Sequence, residues 1–231
     1  MVKRIKSVVL MLIGLNLVIF VLQMLLGNSF TSEFLLNSGN ILSRPWTLIT
    51  SMFLHGGFTH IAFNMYALFL FGPLVEQRIG SKRFTFIYFI SGILAGIGFV
   101  LFQMLIKGVP GSALGASGAI MGILGVTIML FPDLRVLFFF FIPMSLRTAG
   151  IIFALIDFVG LFYDSGIANS AHLVGLASGL LFGWYLISQK NRFQRKFRPP
   201  KKSKSSNSQG VKKGIMMTEE EMQEYIKNGR L

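Results

Sequence analysis

The stretch Leu114–Phe131, LGASGAIMGILGVTIMLF, decides the fold of this chain. It runs for 18 residues without a charged side chain, close to the ~20 apolar residues that a helix needs to cross a bilayer core. A shorter apolar stretch, Ala149–Tyr163, reaches that length only if it extends backward through Pro143–Thr148. Four further stretches qualify readily: Val8–Leu26, His60–Val75, Phe84–Ile106 and Ala168–Ile187. We therefore predict an all-α membrane protein, a six-transmembrane-helix bundle with an outer interfacial loop between helices 1 and 2.

The composition agrees with this class of fold. Charged residues make up 13% of the 231 residues and hydrophobic residues 53%, whereas about a quarter of a typical soluble domain is charged. Cysteine is absent, which excludes disulfides, thiolate metal sites and a cysteine nucleophile. No metal or other cofactor is expected. We predict two regions, a membrane-embedded domain over residues 1–190 and a basic, largely disordered tail over residues 191–231.

The distribution of Lys and Arg predicts the orientation. They gather before the first span, between spans two and three, between spans four and five, and in the tail, whereas the opposite loops hold only Arg44 and Lys107. Such an excess is typical of cytoplasmic segments, so we predict a multi-pass protein of the cell membrane with both termini in the cytoplasm. The first span should remain as an anchor, because it lacks a cleavage pattern and further spans follow it.

Several segments outside the spans carry their own signals. Within the outer segment Asn28–Gly57, an amphipathic interfacial helix is predicted, with an ordinary loop as the alternative. The Phe138–Phe141 run is too short to cross and is expected at the interface or packed between spans. The tail should contact anionic lipid, and Thr218–Glu221 fits a capping box that opens a short terminal helix. Nucleic-acid binding is not expected, because no folded module accompanies the charge. The apolar residues of the outer segment at helical spacing are Leu42, Trp46, Ile49 and Phe53.

Strongly polar side chains in membrane helices are costly and usually functional. Ser117 lies early in span four, His172 early in span six, and His60 and Asn64 lie one turn apart early in span two. These three spans all run from outside to inside, so the four side chains fall within ~10 Å of the outer ends of their helices. One pocket that opens to the extracytoplasmic side could hold them all.

The same residues match the needs of serine hydrolysis, which requires a nucleophile, a base and donors for the oxyanion. Ser117 and His172 supply the first two, and the Ser117 N–H, His60 and Asn64 can supply donors. Ser170 and Ser178 are weaker candidates, because they lie on other faces of the span that carries His172. Small residues let membrane helices approach closely, and two spaced sets occur: Gly118, Gly122 and Gly125 on span four, and Gly175, Gly179 and Gly183 on span six.

The sequence resembles the rhomboid family of intramembrane serine proteases from about Arg44 to Trp184. The matching motifs are Gly115-Ala116-Ser117-Gly118, Ala171-His172-Leu173-Val174-Gly175, His60-Ile61-Ala62-Phe63-Asn64, Phe53-Leu54-His55-Gly56-Gly57 and Glu76-Gln77-Arg78. The resemblance implies a dyad of Ser117 and His172 with no required acid, and an oxyanion site that involves His60 and Asn64. It also implies single-pass transmembrane substrates, cut near the outer end of their helix where small or helix-breaking residues loosen it.

The chain departs from the family pattern at two positions. Thr47 follows Trp46 where many relatives have arginine, and Met121 stands where many have an aromatic residue packed on the histidine. Asp157 in the outer part of span five could orient His172 as a third member, but a protonated or hydrogen-bonded structural carboxyl is the favoured interpretation. His55 is expected to stabilise its loop rather than to act as a second base.

Two other functional classes are open at this stage. A small transporter would show broken helices or charged residues at mid-membrane depth, and Asp157 is the one strong candidate. A non-catalytic scaffold of the same fold, or a haem-binding protein, would use His60 and His172 as structural donors or ligands. Reaction of Ser117 with a fluorophosphonate would distinguish the protease from the scaffold.

Overall fold

The structure is a computed structural model that describes residues 7–138, 142–163 and 166–196. Most of these residues are helical. The helices are α1 (Val8–Phe34), α2 (Thr47–Thr50), α3 (Phe58–Ile79), α4 (Ser81–Phe102), α5 (Ser117–Leu130), α6 (Leu146–Gly160) and α7 (Asn169–Lys196), with a 3-10 turn at Ser51–Phe53 and a π-turn at Gln103–Lys107. Residues up to Trp184 form one compact unit and the chain from Tyr185 onward a second; the packing described below is that of the first unit.

Within the described part of the chain, four helical segments are long and apolar enough to cross a membrane: Val8–Phe34, Phe58–Ile79, Ser81–Lys107 and Asn169–Arg192. Large hydrophobic side chains are exposed along them, as expected for surfaces that face lipid rather than water. Helix α5 is equally apolar but has 14 residues, and α6 has 15. The chain is thus a mostly helical membrane protein, and the count of six spans stays a prediction.

Two small antiparallel ladders accompany the helices, which the all-α prediction did not include. Strand β1 (Leu36–Asn37) pairs with β2 (Ser112–Ala113). Strands β3 (Arg135–Phe138) and β4 (Ile142–Ser145) form a hairpin between α5 and α6, in register from Arg135 opposite Ser145 to Phe138 opposite Ile142. The backward extension of the fifth span through Pro143–Thr148 is therefore wrong at Pro143–Ser145. Those residues pair as a strand, and α6 begins at Leu146, where the Ser145 hydroxyl accepts from the Thr148 N–H.

Helix α1 consists of two helical segments that meet at a kink, where Gly27 has non-helical dihedrals with φ +72°. The first segment ends where the predicted span Val8–Leu26 ends, and the second continues to Phe34. Of the predicted interfacial positions, Leu42, Trp46 and Ile49 are exposed and Phe53 is buried. The apolar face is thus only partly outward, and its place in the outer leaflet stays a prediction.

A single carboxylate fixes the start of α1. The side chain of Glu76, near the end of α3, accepts hydrogen bonds from the Ser7 hydroxyl and the Val8 N–H, both at 2.8 Å, and from the Val9 N–H at 3.3 Å. The Ser81 hydroxyl, at the start of α4, donates to the same carboxylate at 2.7 Å. The first N–H groups of a helix have no partner within the helix, and here a negative charge satisfies two of them at the positive end of the helix dipole.

Three predicted features fall outside the described residues. The first is most of the Phe138–Phe141 run. The other two lie in the tail beyond Lys196 and are its predicted disorder and the helix opened by Thr218–Glu221.

Candidate active site

Ser117 is the first residue of α5, and the loop before it gives the helix its sharp start. Gly115 has φ +126°, a backbone conformation that residues with a Cβ rarely adopt. Its N–H donates to the Ser51 carbonyl at 2.9 Å. The helix begins at Ser117 rather than at Leu114 as the predicted span did, because residues 114–116 form this turn. The Ser117 N–H is consequently one of the unpaired donors of a helix N-terminus.

His172 lies in the first turn of α7 and reaches Ser117 directly. Its Nε2 is 2.8 Å from the Ser117 Oγ. On its other side, its Nδ1 is 3.0 Å from Oδ1 of Asp157 on α6. The two side chains of the second contact are largely buried, with exposed fractions of 18% for His172 and 8% for Asp157. Three helices thus contribute one side chain each to a continuous line of hydrogen bonds.

Glycine allows α5 and α7 to come close enough for this contact. A Cβ built on Gly175 would overlap the Gly118 carbonyl, and one on Gly179 would overlap the Gly122 carbonyl. A Cβ on Gly125 would lie 2.6 Å from the Leu176 oxygen, well inside ordinary van der Waals distance. The predicted glycine seam is therefore a backbone-to-backbone contact, and it begins one residue below Ser117.

His60 stands on α3 beside the same site. The Gly56 N–H donates to its Nδ1 at 3.2 Å, so in the neutral ring the hydrogen is on Nε2. A Cβ on Gly115 would lie 2.8 Å from that Nε2 and 3.6 Å from the Ser117 Oγ. Glycine at position 115 thus leaves room for an N–H donor beside the serine. One turn further along, Asn64 is buried and its amide donates to the His60 carbonyl at 3.1 Å, which leaves its second amide hydrogen for another acceptor.

The loop that presents the Gly56 N–H is attached to α1 by Gln23. The side-chain oxygen of Gln23 accepts from the His55 N–H at 2.9 Å, and its nitrogen donates to the His55 carbonyl at 3.3 Å. The His55 ring packs edge-on against the His60 ring, with centroids 5.1 Å apart. Sequence reasoning missed Gln23, although an amide within the apolar run of the first span, which also contains Asn16, was a visible signal.

His55 is a buried, uncharged ring. Its two ring nitrogens have no hydrogen-bond partner, and 3% of the residue is exposed. Burial, together with repulsion from His60, lowers the pKa of His55 from 6.5 to about 4, and the Phe53 backbone partly opposes this. The ring cannot serve as a base at neutral pH without a partner to polarise it, which agrees with the expected structural role.

A cavity of about 30 Å³ adjoins Ser117. A cavity of this size can hold a water molecule. Its walls come from α4, α5, the loop before α5, the start of α7, strand β1 and the 3-10 turn, and most of the residues are small or apolar; they include Gly92, Ala95, Gly96, Ala113, Ala119 and Ala171.

The remaining residues singled out from the sequence lie away from the line of hydrogen bonds. Met121 packs against the cluster of Leu124, Leu146 and Leu176. The Ser178 hydroxyl is buried and donates to the Gly175 carbonyl at 2.7 Å. Among the described residues, no group of three or more His, Asp or Glu side chains could hold a metal ion.

Comparison with known families identifies the family of the chain. Residues 42–189 match the family model for the rhomboid domain. The chain belongs to the rhomboid family. The matched segment contains the nucleophile candidate, both rings that flank it and Asp157. It includes all of α3, α5 and α6, and α7 as far as residue 189.

Three curated rhomboid relatives illustrate the similarity. The Bacillus subtilis rhomboid protein YdcA is 35% identical over 158 residues, which are 68% of this chain and 74% of that protein. Rhomboid protein 1, mitochondrial, of Saccharomyces cerevisiae is 32% identical over 84% of this chain and 57% of its own length. The rhomboid protease GluP of Bacillus subtilis is 35% identical over 72% of this chain and 32% of its own length. The chain therefore spans about a third to three quarters of these relatives, and their names support intramembrane proteolysis as the class of activity.

Proposed function

We propose that this rhomboid protein is an intramembrane serine endopeptidase that cuts single-span transmembrane proteins. The observation that carries the proposal is the 2.8 Å contact between the Ser117 Oγ and the His172 Nε2. A hydroxyl becomes a useful nucleophile only when a base lies within hydrogen-bond reach to take its proton. Family membership and the protease name of GluP support the same conclusion.

The proposed reaction proceeds through an acyl-enzyme. Neutral His172 takes the hydroxyl proton as the Ser117 Oγ forms a bond to the scissile carbonyl carbon. The resulting imidazolium gives that proton to the leaving amine as the C–N bond breaks. A water molecule then loses a proton to His172 and attacks the ester, and the proton returns to the Ser117 oxygen. No cofactor or metal is needed to balance these steps.

The oxyanion of each tetrahedral intermediate requires nearby donors. We assign this role to the Ser117 N–H at the start of α5, the Nε2–H of His60, and the amide hydrogen of Asn64 that His60 does not use. The Gly56 N–H on the far side of the His60 ring supports the assignment, because it selects the tautomer that donates toward the serine.

The small cavity beside Ser117 bears on the choice of substrate. The cavity is small and many of its lining residues are glycine or alanine, so a small side chain fits it better than a leucine or phenylalanine would. We propose that the residue before the cut bond is small and that the bond lies near the extracytoplasmic end of the substrate helix. We also propose, from the distribution of Lys and Arg, that the chain has six spans in the cell membrane with both termini in the cytoplasm. The basic tail then lies against anionic lipid.

The test is cleavage of a membrane-anchored reporter in reconstituted vesicles. Ser117→Ala should abolish cleavage and fluorophosphonate labelling while the protein remains folded. Ser178→Ala is the matched control, since it removes a buried hydroxyl that lies six residues beyond the base on the same helix and donates to the Gly175 carbonyl, and it should cleave normally. Cleavage retained by Ser117→Ala would overturn the proposal. Absence of labelling and of cleavage in the wild-type protein, across reporters with small residues at the cut bond, would favour the scaffold instead.

A further inference from the structure

We infer that Asp157 is a positioning residue for His172, which holds the base of the Ser117–His172 dyad in the proposed reaction. The inference rests on the proposed function, because it describes how the base of that reaction is held. Its observation is separate, namely the 3.0 Å contact between Asp157 Oδ1 and the Nδ1 of His172, on the ring edge opposite Ser117.

The contact determines which ring nitrogen carries the hydrogen. A carboxylate accepts hydrogen bonds and donates none, so its partner Nδ1 must be protonated. The neutral ring then has its lone pair on Nε2, which is the atom 2.8 Å from the Ser117 hydroxyl. The opposite tautomer would direct a lone pair at the carboxylate and an N–H at the hydroxyl, and it could not accept the proton of the nucleophile.

The carboxylate also acts after proton transfer. Once His172 has taken the hydroxyl proton it is a cation, and an adjacent negative charge stabilises it in a site where little water competes. Asp157 is buried, with 6% of the residue exposed. Among the described residues the other titratable ring at this site is that of His60, which faces the serine from α3 rather than the carboxylate.

The placement on three helices makes the arrangement specific. Asp157 is on α6, His172 on α7 and Ser117 on α5, so no local sequence preference brings them together. A buried carboxylate without a partner would be costly, and among the described residues the His172 ring is the one basic group within 4 Å of it. A carboxyl with only a structural role could be stabilised equally well by a hydrogen bond from a backbone N–H. The His172 ring would then have no partner at its Nδ1 and could rotate.

Two measurements test the inference. The first uses the wild-type protein with ¹⁵N-labelled histidine, in detergent at a pH where the rings are neutral. The chain has three histidines, and the signals missing from His172→Ala identify the ring of interest. The inference requires a protonated Nδ1 and an unprotonated Nε2. The opposite tautomer in the wild-type protein would overturn it, and this result does not depend on whether any Asp157 variant folds.

The second measurement separates kcat from KM. Asp157→Asn keeps the shape of the side chain and removes its charge, so we expect kcat to fall about 10²-fold with KM unchanged. Asp133→Asn, on an exposed turn after α5, is the matched control and should behave as wild type. An Asp157→Asn enzyme with wild-type kcat, or one whose loss lies in KM, would overturn the inference. The dyad is tested separately by Ser117→Ala, so failure of the positioning role of Asp157 leaves the proposed function standing.

Discussion

Replacing Gly125 by alanine should separate the nucleophile from its base without touching either. Gly125 lies eight residues, or two turns, beyond Ser117 on α5, where the helix meets α7. A Cβ built there is 2.6 Å from the Leu176 oxygen and 2.7 Å from the Leu180 nitrogen. Both atoms belong to helix backbone, so neither can turn aside as a flexible side chain could.

The size of the effect follows from these distances. Ordinary contacts of a Cβ begin at 3.4 Å, so α7 must move by about 0.8 Å to accept the methyl group. If that shift is transmitted along the rigid helices, the distance between Ser117 Oγ and His172 Nε2 grows from 2.8 Å to about 3.6 Å, beyond a hydrogen bond. A displacement of ~1 Å at a reacting centre costs about 10²-fold in rate. We therefore expect a loss of roughly 30- to 100-fold in kcat, with an overpacking cost of about 1–3 kcal/mol in stability.

The assay is reporter cleavage in vesicles, with unfolding followed in parallel to establish that the variant is folded. Gly14→Ala is the control, because a Cβ at Gly14 on α1 meets nothing within 4 Å, and it should retain full activity. A folded Gly125→Ala enzyme with half the wild-type kcat or more would show that the seam does not set the distance between serine and histidine, and the reasoning would fail.

Two further predictions concern stability. Glu76→Gln should lower the free energy of unfolding by about 2–3 kcal/mol, since an amide cannot accept from all four donors and leaves the Val9 N–H unpaired. The control is Glu33→Gln, which breaks an exposed pair with Arg44 and should cost under about 1 kcal/mol. Equal costs in the two variants would refute the argument. The second concerns acid. The pKa of His55 is about 4 in the folded protein and 6.5 in the unfolded chain, so the unfolded chain takes up the proton first as the pH falls. The contribution of His55 to the free energy of unfolding is therefore fully present above pH 6.5, and about 3 kcal/mol is lost as the pH approaches 4. His55→Phe should make the thermal unfolding temperature depend less on pH over that range. An unchanged pH dependence in this variant would contradict the prediction.

The sequence was most informative where chemistry and membrane depth agree. Ser117, His172 and His60 could be grouped because a polar side chain in an apolar span is costly and all three lie near the same ends of their helices. The glycine seam was predictable for a similar reason, as small residues at regular spacing have few other uses in a membrane helix. Rhomboid membership followed from the same motifs and is confirmed by the match over residues 42–189.

The features that the sequence did not predict depend on contacts between distant segments. The hairpin of β3 and β4 is one, because its residues are apolar enough to be taken for an extension of the fifth span. The two hydrogen bonds between Gln23 and the His55 backbone are another, since they join residues 32 positions apart. Asp157 was recognised as a candidate, but only its distance to the Nδ1 of His172 distinguishes an orienting acid from a buried structural carboxyl.

The cap on α1 has a consequence for the order of assembly. Val8 leaves the ribosome 68 residues before the Glu76 carboxylate that accepts its hydrogen bond. Until α3 is complete, water or lipid headgroups must satisfy the first amides of α1, and the carboxylate replaces them when the end of α3 arrives. Closure of this cap therefore marks the moment at which the first helix ceases to be an independent anchor and becomes part of the bundle.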